Sequence, residues 1–384
     1  MGGKPVPRSS RELVLTALRV HGAMSRAELA RYARVAPSTI SAVVQNLVAD
    51  GVVVSSRARL AAARPGTGGR PGLRLTLNPG AGAVAGVEVG FRVLRVMLCD
   101  LAHEVIGSAE AELPEGHSSS AVLPLASRLI DEVLTEAAMA RGALIGAGMS
   151  LPGPVRHHPD LVVTSGILPG WHGVTGRDMA EALGMPVSID NDANLAALGE
   201  HAWGAGQGCD DSITIKYHYG IGCGLFVNGS LVHGAGGAGE IGHTTIDQRG
   251  PLCRCGKRGC LDTYAAIPAM LDALRPQRGP LDLDGLMTLL AGRDPGATRV
   301  VADAAELVGQ QLAAACNLLA PRRVVVVGAM ADAGDLVLGP IRTAMRRNIA
   351  PNELPELRVG TLGTRQTALG AVALALGEST WLPG

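Results

Sequence analysis

The sequence predicts an α/β protein with a winged helix-turn-helix at its amino end, two related α/β lobes behind it, and a structural zinc site in the second lobe. Three observations carry this prediction. Residues 1–78 hold 12 Lys and Arg against 3 Asp and Glu, whereas the remainder holds 22 against 31, so a basic module of charge +9 precedes an acidic body of charge −9. The hydrophobic pattern changes near residue 80 from short amphipathic helices to strands alternating with long helices, the signature of α/β lobes. His243, Cys253, Cys255 and Cys260 fall within 18 residues of glycine-rich sequence, and three thiolates with one imidazole are the closed donor set of structural zinc. The expected boundaries are 1–78 for the reader, 79–198 for the first lobe and 199–384 for the second, with the last helix able to pack back on the first lobe.

A chain of 384 residues is long enough for about two or three domains, each with its own core. Seven cysteines are an odd number, and three of them crowd into residues 253–260. That usage points to metal binding in a reducing cytosol and not to a secreted disulfide framework. The opening MGGKPVPRSSRE has no apolar core of a signal peptide. No uninterrupted apolar stretch reaches the ~18 residues of a membrane span. The expectation is a cytoplasmic protein with no membrane partner.

In chain order, Arg11 to Val20 places Leu13, Val14, Ala17 and Leu18 on one helical face, and Gly22 stops it. Ser25-Arg26-Ala27-Glu28 is a capping box that opens a second helix through about Tyr32. Pro37 suits the first position of a third helix, STISAVVQNLVADG, with Ile40, Val43, Val44, Leu47 and Val48 facing inward. Val52, Val53 and Val54, an Arg-, Ala-, Pro- and Gly-rich loop, and LRLTLN then read as a two-stranded wing. The third helix offers Ser38, Thr39, Ser41 and Gln45 on its polar side. Hydroxyls near the start of such a helix contact phosphates or base edges, and a glutamine pairs with adenine. Arg70, in the wing sequence GGRPG, suits an adjoining minor groove. The expected partner of this module is double-stranded DNA, read as a homodimer or tetramer on spaced half-sites.

Residues 79–82 are the hinge candidate between reader and body. GAVAGVEVGFRVLRVMLCDLAHEVIGSAEAEL reads as three strands of a meander, followed by a long helix from Ser120 to Ala140 and a buried strand from Ala143 to Ser150. Val187 to Asp190 is another strand and delivers Asn191-Asp192 to its carboxyl end, where α/β sheets place ligands. SITIKYHYGIGCGLFVNGSLVHG gives a strand pair around a glycine turn, Arg299 to Leu319 a long helix, Arg323 to Gly328 a valine-rich strand, and Val337 to Asn348 a further helix. The repeated order implies two lobes with a cleft between them. Zinc bound by His243, Cys253, Cys255 and Cys260 fixes the His243 ring and leaves its second nitrogen for another partner.

The stretches LPGPV (151–155), IDNDANLAALGE (189–200), GIGCGL (220–225), HGAGGAGEIGH (233–243) and CRCGKRGCLD (253–262) together resemble the ROK family of repressors, open reading frames and sugar kinases. The amino-terminal module resembles its repressor branch. The resemblance implies that residues from 80 onward take a two-lobed, actin-like (ribonuclease-H-like) sugar-kinase fold. It also implies that a sugar or sugar derivative sits in the cleft, with hydroxyls held by Asn191, Asp192, Glu240, His243 and Asp262. Hydroxyls are both donors and acceptors and are well held by carboxylate and amide groups. The family's usual glutamate at the last position is aspartate here.

Family kinases carry a D-x-G-G-T sequence at the first glycine hairpin, where this chain has Glu88-Val89-Gly90-Phe91-Arg92, and a Gly-Thr at the second, where it has His218-Tyr219. Both changes put bulk where phosphate would lie. The resemblance therefore implies a sugar-responsive regulator, chiefly a repressor, that binds its effector without catalysing phosphorylation. Two alternatives stand beside it: an ATP-dependent sugar kinase with a fused DNA-binding head, in which Asp192 is the base, and a regulator whose signal is a protein partner.

Overall fold

A computed structural model describes residues 10–56, 73–101, 103–157, 160–162, 168–350 and 354–377. The first part has three helices, α1 (Ser10–His21), α2 (Arg26–Ala33) and α3 (Pro37–Ala49), and an antiparallel pair, β1 (Val53–Ser56) with β2 (Arg74–Leu77). The capping box of α2 forms in full: the Ser25 hydroxyl accepts from the Glu28 N–H while the Glu28 carboxylate accepts from the Ser25 N–H at 2.7 Å. Pro37 opens α3, which buries Ile40, Val44 and Leu47. Val48, expected inward, is 40% exposed, because the buried stripe follows 40, 44 and 47 and residue 48 lies past its edge.

The body begins with β3 (Ala83–Val89), β4 (Val93–Asp100) and β5 (Val105–Glu112), then α4 (Ser119–Glu136), β6 (Leu144–Leu151), the short pair β7 (Val155–His157) and β8 (Asp160–Val162), α5 (Gly176–Leu183), β9 (Val187–Asn191) and α6 (Asp192–Trp203). It continues with β10 (Ser212–Tyr217), β11 (Ile221–Val227), β12 (Ser230–Leu231), α7 (Asp262–Ala265), α8 (Ile267–Arg278), α9 (Leu283–Ala291), α10 (Pro295–Leu319), β13 (Arg323–Val327), α11 (Asp335–Asn348), β14 (Glu356–Val359) and α12 (Gln366–Gly377). Two five-stranded sheets result, in the orders β5-β4-β3-β6-β9 and β12-β11-β10-β13-β14. Each has an antiparallel meander at one side and parallel strands at the other. The chain thus builds the same mixed sheet twice.

Strand alternation divides the faces of the first sheet. Ala83, Ala85 and Val87 join α4 in one core, while Val84, Met97 and Cys99 face the other way and meet Ala368, Val372 and Leu376 of α12. That second cluster runs without a break into Val14, Leu29, Ile40 and Leu75 of the amino-terminal part. The junction at 79–82, expected as a hinge, is a 3₁₀ turn, Pro79–Ala81, in which Asn78 caps Gly80 and donates to the Gly51 carbonyl at 2.7 Å. Reader and body therefore meet through packed apolar side chains as well as through a linking turn.

Helix α12 belongs physically to the first lobe although it comes last in the chain. Its sequence QTALGAVALALG carries no charge and is buried nearly all round. Glycines make the fit: a Cβ on Gly148 of β6 would lie 1.9 Å from the Ala371 carbonyl oxygen, and one on Gly370 would lie 1.7 Å from that of Leu195 in α6. Both obstacles are backbone and do not swing aside. Gly370→Ala is expected to destabilise the protein by about 1–3 kcal/mol or more through overpacking. Urea unfolding measures this, and an unchanged midpoint would contradict the contact. Among the described residues, no helix is long and apolar enough to cross a membrane.

Candidate sugar and metal site

Residues 241–262 form compact turns on the second lobe. The 3₁₀ turn Ile241–His243 presents His243, and isolated bridges pair Thr245 with Cys260 and Leu252 with Arg258. Gly239, which precedes the turn at φ +87°, lies where a Cβ would sit 1.7 Å from the Cys223 carbonyl. Only glycine suits both the backbone and the space.

One ligand atom from each of His243, Cys253, Cys255 and Cys260 lies within 4.8 Å of the others, so the group could hold a metal ion. Two separations test the fit. The Cys255 and Cys260 sulfurs are 3.6 Å apart, and the Cys253 sulfur is 3.6 Å from His243 Nδ1. A tetrahedral ion with zinc-length bonds would give edges of about 3.6–3.8 Å. The imidazole thus turns Nδ1 to the thiols, and its Nε2 lies 3.8 Å from the Glu240 carboxylate.

That second nitrogen faces a cleft of about 350 Å³ between the lobes. Asn191, Asp192, Glu240, His243 and Asp262 all line it. Asn191 ends β9 and caps α6: its side-chain oxygen accepts from the Ala193 and Asn194 N–H groups, and its amide donates to the Gly153 carbonyl at 3.0 Å. One amide N–H remains for a ligand. Asp262 accepts from the Ile221 N–H at 2.9 Å and so ties the turn region to the β10–β11 hairpin. Burial raises its pKa, against the pull of that N–H and of His243. Glu240 is pushed up to about 7 by burial first and then by the Asp192 and Asp262 carboxylates.

Sequence reasoning passed over Lys216. Along β10, Ile213, Ile215 and Tyr217 enter the second-lobe core, and alternation sends Lys216 to the cleft face. Its ammonium donates to Asp192 at 2.8 Å and lies 3.8 Å from Glu88. Burial opposes the charge, but Asp192 and Glu88 outweigh it and hold the Lys216 pKa above its ordinary value. Glu88 accepts a further bond from Arg95 at 2.6 Å, and Arg95 also donates to the Thr364 carbonyl at 2.7 Å. A lysine in step with Ser212 and Thr214, alternating with Ile213, Ile215 and Tyr217, is the signal that could have flagged this network. His218 is pushed down to about 4 by burial and by Lys216, which keeps its ring neutral near pH 7. His233, also missed, lies at 2.8 Å from buried Asp190 and ties the glycine-rich loop to β9.

In the amino-terminal part, Ser38, Thr39, Ser41 and Gln45 are all exposed on α3. The Ser41 hydroxyl donates to the Pro37 carbonyl at 2.8 Å, leaving its oxygen as an acceptor. Arg70 lies outside the described residues.

Comparison with known proteins places these features. The family model described as "ROK family" matches residues 84–378. The xylose repressor of Bacillus subtilis (strain 168) is 27% identical over 97% of this chain and 96% of its own length. The glucokinase of Halalkalibacterium halodurans is 30% identical over 74% of this chain and 92% of its own. A solved ROK-family transcriptional regulator, a homologue of the E. coli MLC protein, superposes with a TM-score of 0.80 at 25% identity, covering 97% of both chains.

Proposed function

The chain belongs to the ROK family, and from that premise we propose that it is a cytoplasmic, sugar-responsive DNA-binding repressor that binds its effector without phosphorylating it. The observation that carries the reading is the pairing of Asp192 with the Lys216 ammonium at 2.8 Å in a cleft that follows a three-helix module with a wing. The fixed ammonium covers one carboxylate oxygen and disfavours a magnesium ion beside it, while the remaining lone pairs are left for a ligand hydroxyl. A hydroxyl-binding carboxylate works well in the same setting. The near-full-length match to a xylose repressor, reader included, supports the same conclusion.

In this reading residues 1–78 form the DNA reader, with Ser38, Thr39, Ser41, Gln45 and Arg70 facing an operator. Lobes 79–198 and 199–384 close on a sugar or sugar derivative held by Asn191, Asp192, Glu240, His243 and Asp262. Structural zinc on His243, Cys253, Cys255 and Cys260 fixes the histidine ring so that Nε2 is offered to the ligand. A homodimer or tetramer carries two or more readers, and sugar binding changes their spacing by favouring one arrangement of the lobes. The packed contact between α12, the first sheet and the reader supports such transmission.

A thermal-shift screen of sugars on zinc-loaded protein should find at least one stabilising ligand, because a ligand bound only by the native state raises stability by mass action. Asp192→Asn and Glu240→Gln should each cut its affinity about tenfold or more, the scale of a lost charge-assisted hydrogen bond. Operator affinity should fall when that sugar is added. A hit that left operator affinity unchanged would end the effector reading. The glucokinase match favours kinase activity as the second reading; ADP release over the same panel, abolished by Asp192→Asn, would establish it.

A further inference from the structure

The cleft does not stop at the residues assigned to the sugar. Its lining continues from Asp192 past the β10–β11 hairpin to Gly328, Asp332 and the start of α12. About 350 Å³ in all lies within the usual range for sites that hold ligands larger than one ring, ~300–1,000 Å³.

Three features of the cleft bear on what it would accept beyond the first ring. Gln366, the first residue of α12, lines it while only 5% exposed, and its Oε1 accepts no hydrogen bond from any described residue. A buried acceptor without a donor is costly, so it is found where a donor arrives with a ligand or water. Phe91, after β3, and Tyr219, after β10, line the cleft from opposite lobes in a chain with only 2 Phe and 4 Tyr. The Arg254 guanidinium lies 5.3 Å from the Phe91 ring centre and 3.5 Å from the Tyr219 carbonyl, joining the two hairpins. Aromatic faces with a few polar groups beside them suit a ring that is apolar on its face and hydroxylated at its edge. The charges between the halves are matched, Lys216 with Asp192 and Arg95 with Glu88. A polyphosphate would bring several negative charges to a neutral network, and its divalent cation would meet an ammonium.

We infer that this half of the cleft is a subsite for a second, uncharged sugar unit, so that the effector is a disaccharide or other glycoside. The inference rests on the reading of the cleft as a sugar site. In it a ligand hydroxyl donates to Gln366 Oε1, and the second ring lies against Phe91.

Isothermal titration of the zinc-loaded full chain tests it with monosaccharides, disaccharides of the same units in several linkages, adenosine, and a non-hydrolysable ATP analogue with magnesium. At least one disaccharide should bind about tenfold or more tightly than its own monosaccharides, the discrimination expected when a buried polar group and a stacking face gain their partners. Gln366→Leu removes the acceptor at similar volume and should bring that ratio close to one. Phe91→Ala should do the same and serves if Gln366→Leu does not fold. Monosaccharides that bind as tightly as every disaccharide would overturn the inference and leave the sugar site standing. So would equal weakening of both ligand types in the two variants, or occupation of the cleft by the magnesium nucleotide. Absence of any carbohydrate binding would instead sink the sugar reading itself.

Discussion

Replacing Cys260 with serine is expected to strip the bound metal, lower the melting temperature by at least about 5 °C and abolish the effector response. Cys260 is fully buried, and the turn region around it is held by local bonds: Ile246 and Leu261 donate to the carbonyls of Gly259 and Thr244 at 2.8 and 2.9 Å, and Cys253 and Gly259 to those of Lys257 and Pro251 at 2.7 and 2.8 Å. Leu261 reaches the second-lobe core, whereas Leu252 beside Cys253 is 66% exposed. A metal held by these four residues would add to that local frame; such binding in zinc-finger peptides is worth about 10–16 kcal/mol at neutral pH. Only part of that appears as global stability here, because the rest of the second lobe has its own core. The response fails for a nearer reason. His243 would carry the metal on Nδ1 and faces Glu240 with Nε2, while Asp262 follows Cys260 closely and pins the β10–β11 hairpin through Ile221. Without the ion, the positions of His243, Glu240 and Asp262 would loosen together. Parent protein should contain one zinc per chain and the variant none, while binding of DNA by the reader persists. Equal metal content and melting temperature in both would remove the metal assignment.

What could be read beforehand followed from how local each signal is. The α2 capping box, Pro37 at the start of α3 and the C-x-C-x₄-C run are written within a few residues, and they were legible. The motifs lining the cleft were legible as short runs, yet Asn191 was seen only as a ligand residue and its use as the cap of α6 was not. Helix α12 was harder, because a helix apolar on every side has no periodicity to betray it. Its fit depends on Gly86, Gly148, Gly199 and Gly370, which come together only once the topology is known. The charge network lies between these cases. Glu88 and Arg95 are opposed in the register of β3 and β4 around the Gly90 turn, so a hairpin alignment could have paired them. Lys216 and Asp192 belong to different elements, and no local pattern joins them.

Lys216→Met is expected to destabilise the protein by about 3–5 kcal/mol, the cost of leaving buried charge without its partner. The lysine, Glu88 and Asp192 side chains are 11%, 8% and 19% exposed, so water screens them little. Methionine fills most of the volume, and the loss is therefore electrostatic more than a cavity effect. Glu88 keeps Arg95 as a partner, which makes Asp192 the group left most exposed to the change. If so, Lys216→Met combined with Asp192→Asn should recover a good part of the loss, and the double-mutant cycle should show coupling well above that of surface pairs. Urea unfolding of the four proteins measures it. The single variant should also show no sugar-kinase activity, since Phe91, His218 and Tyr219 still line both glycine hairpins. A Lys216→Met protein as stable as its parent would show that the ion pair is not what holds Asp192. Phosphorylation activity appearing in that variant would instead show that Lys216 alone separates this cleft from an enzyme's.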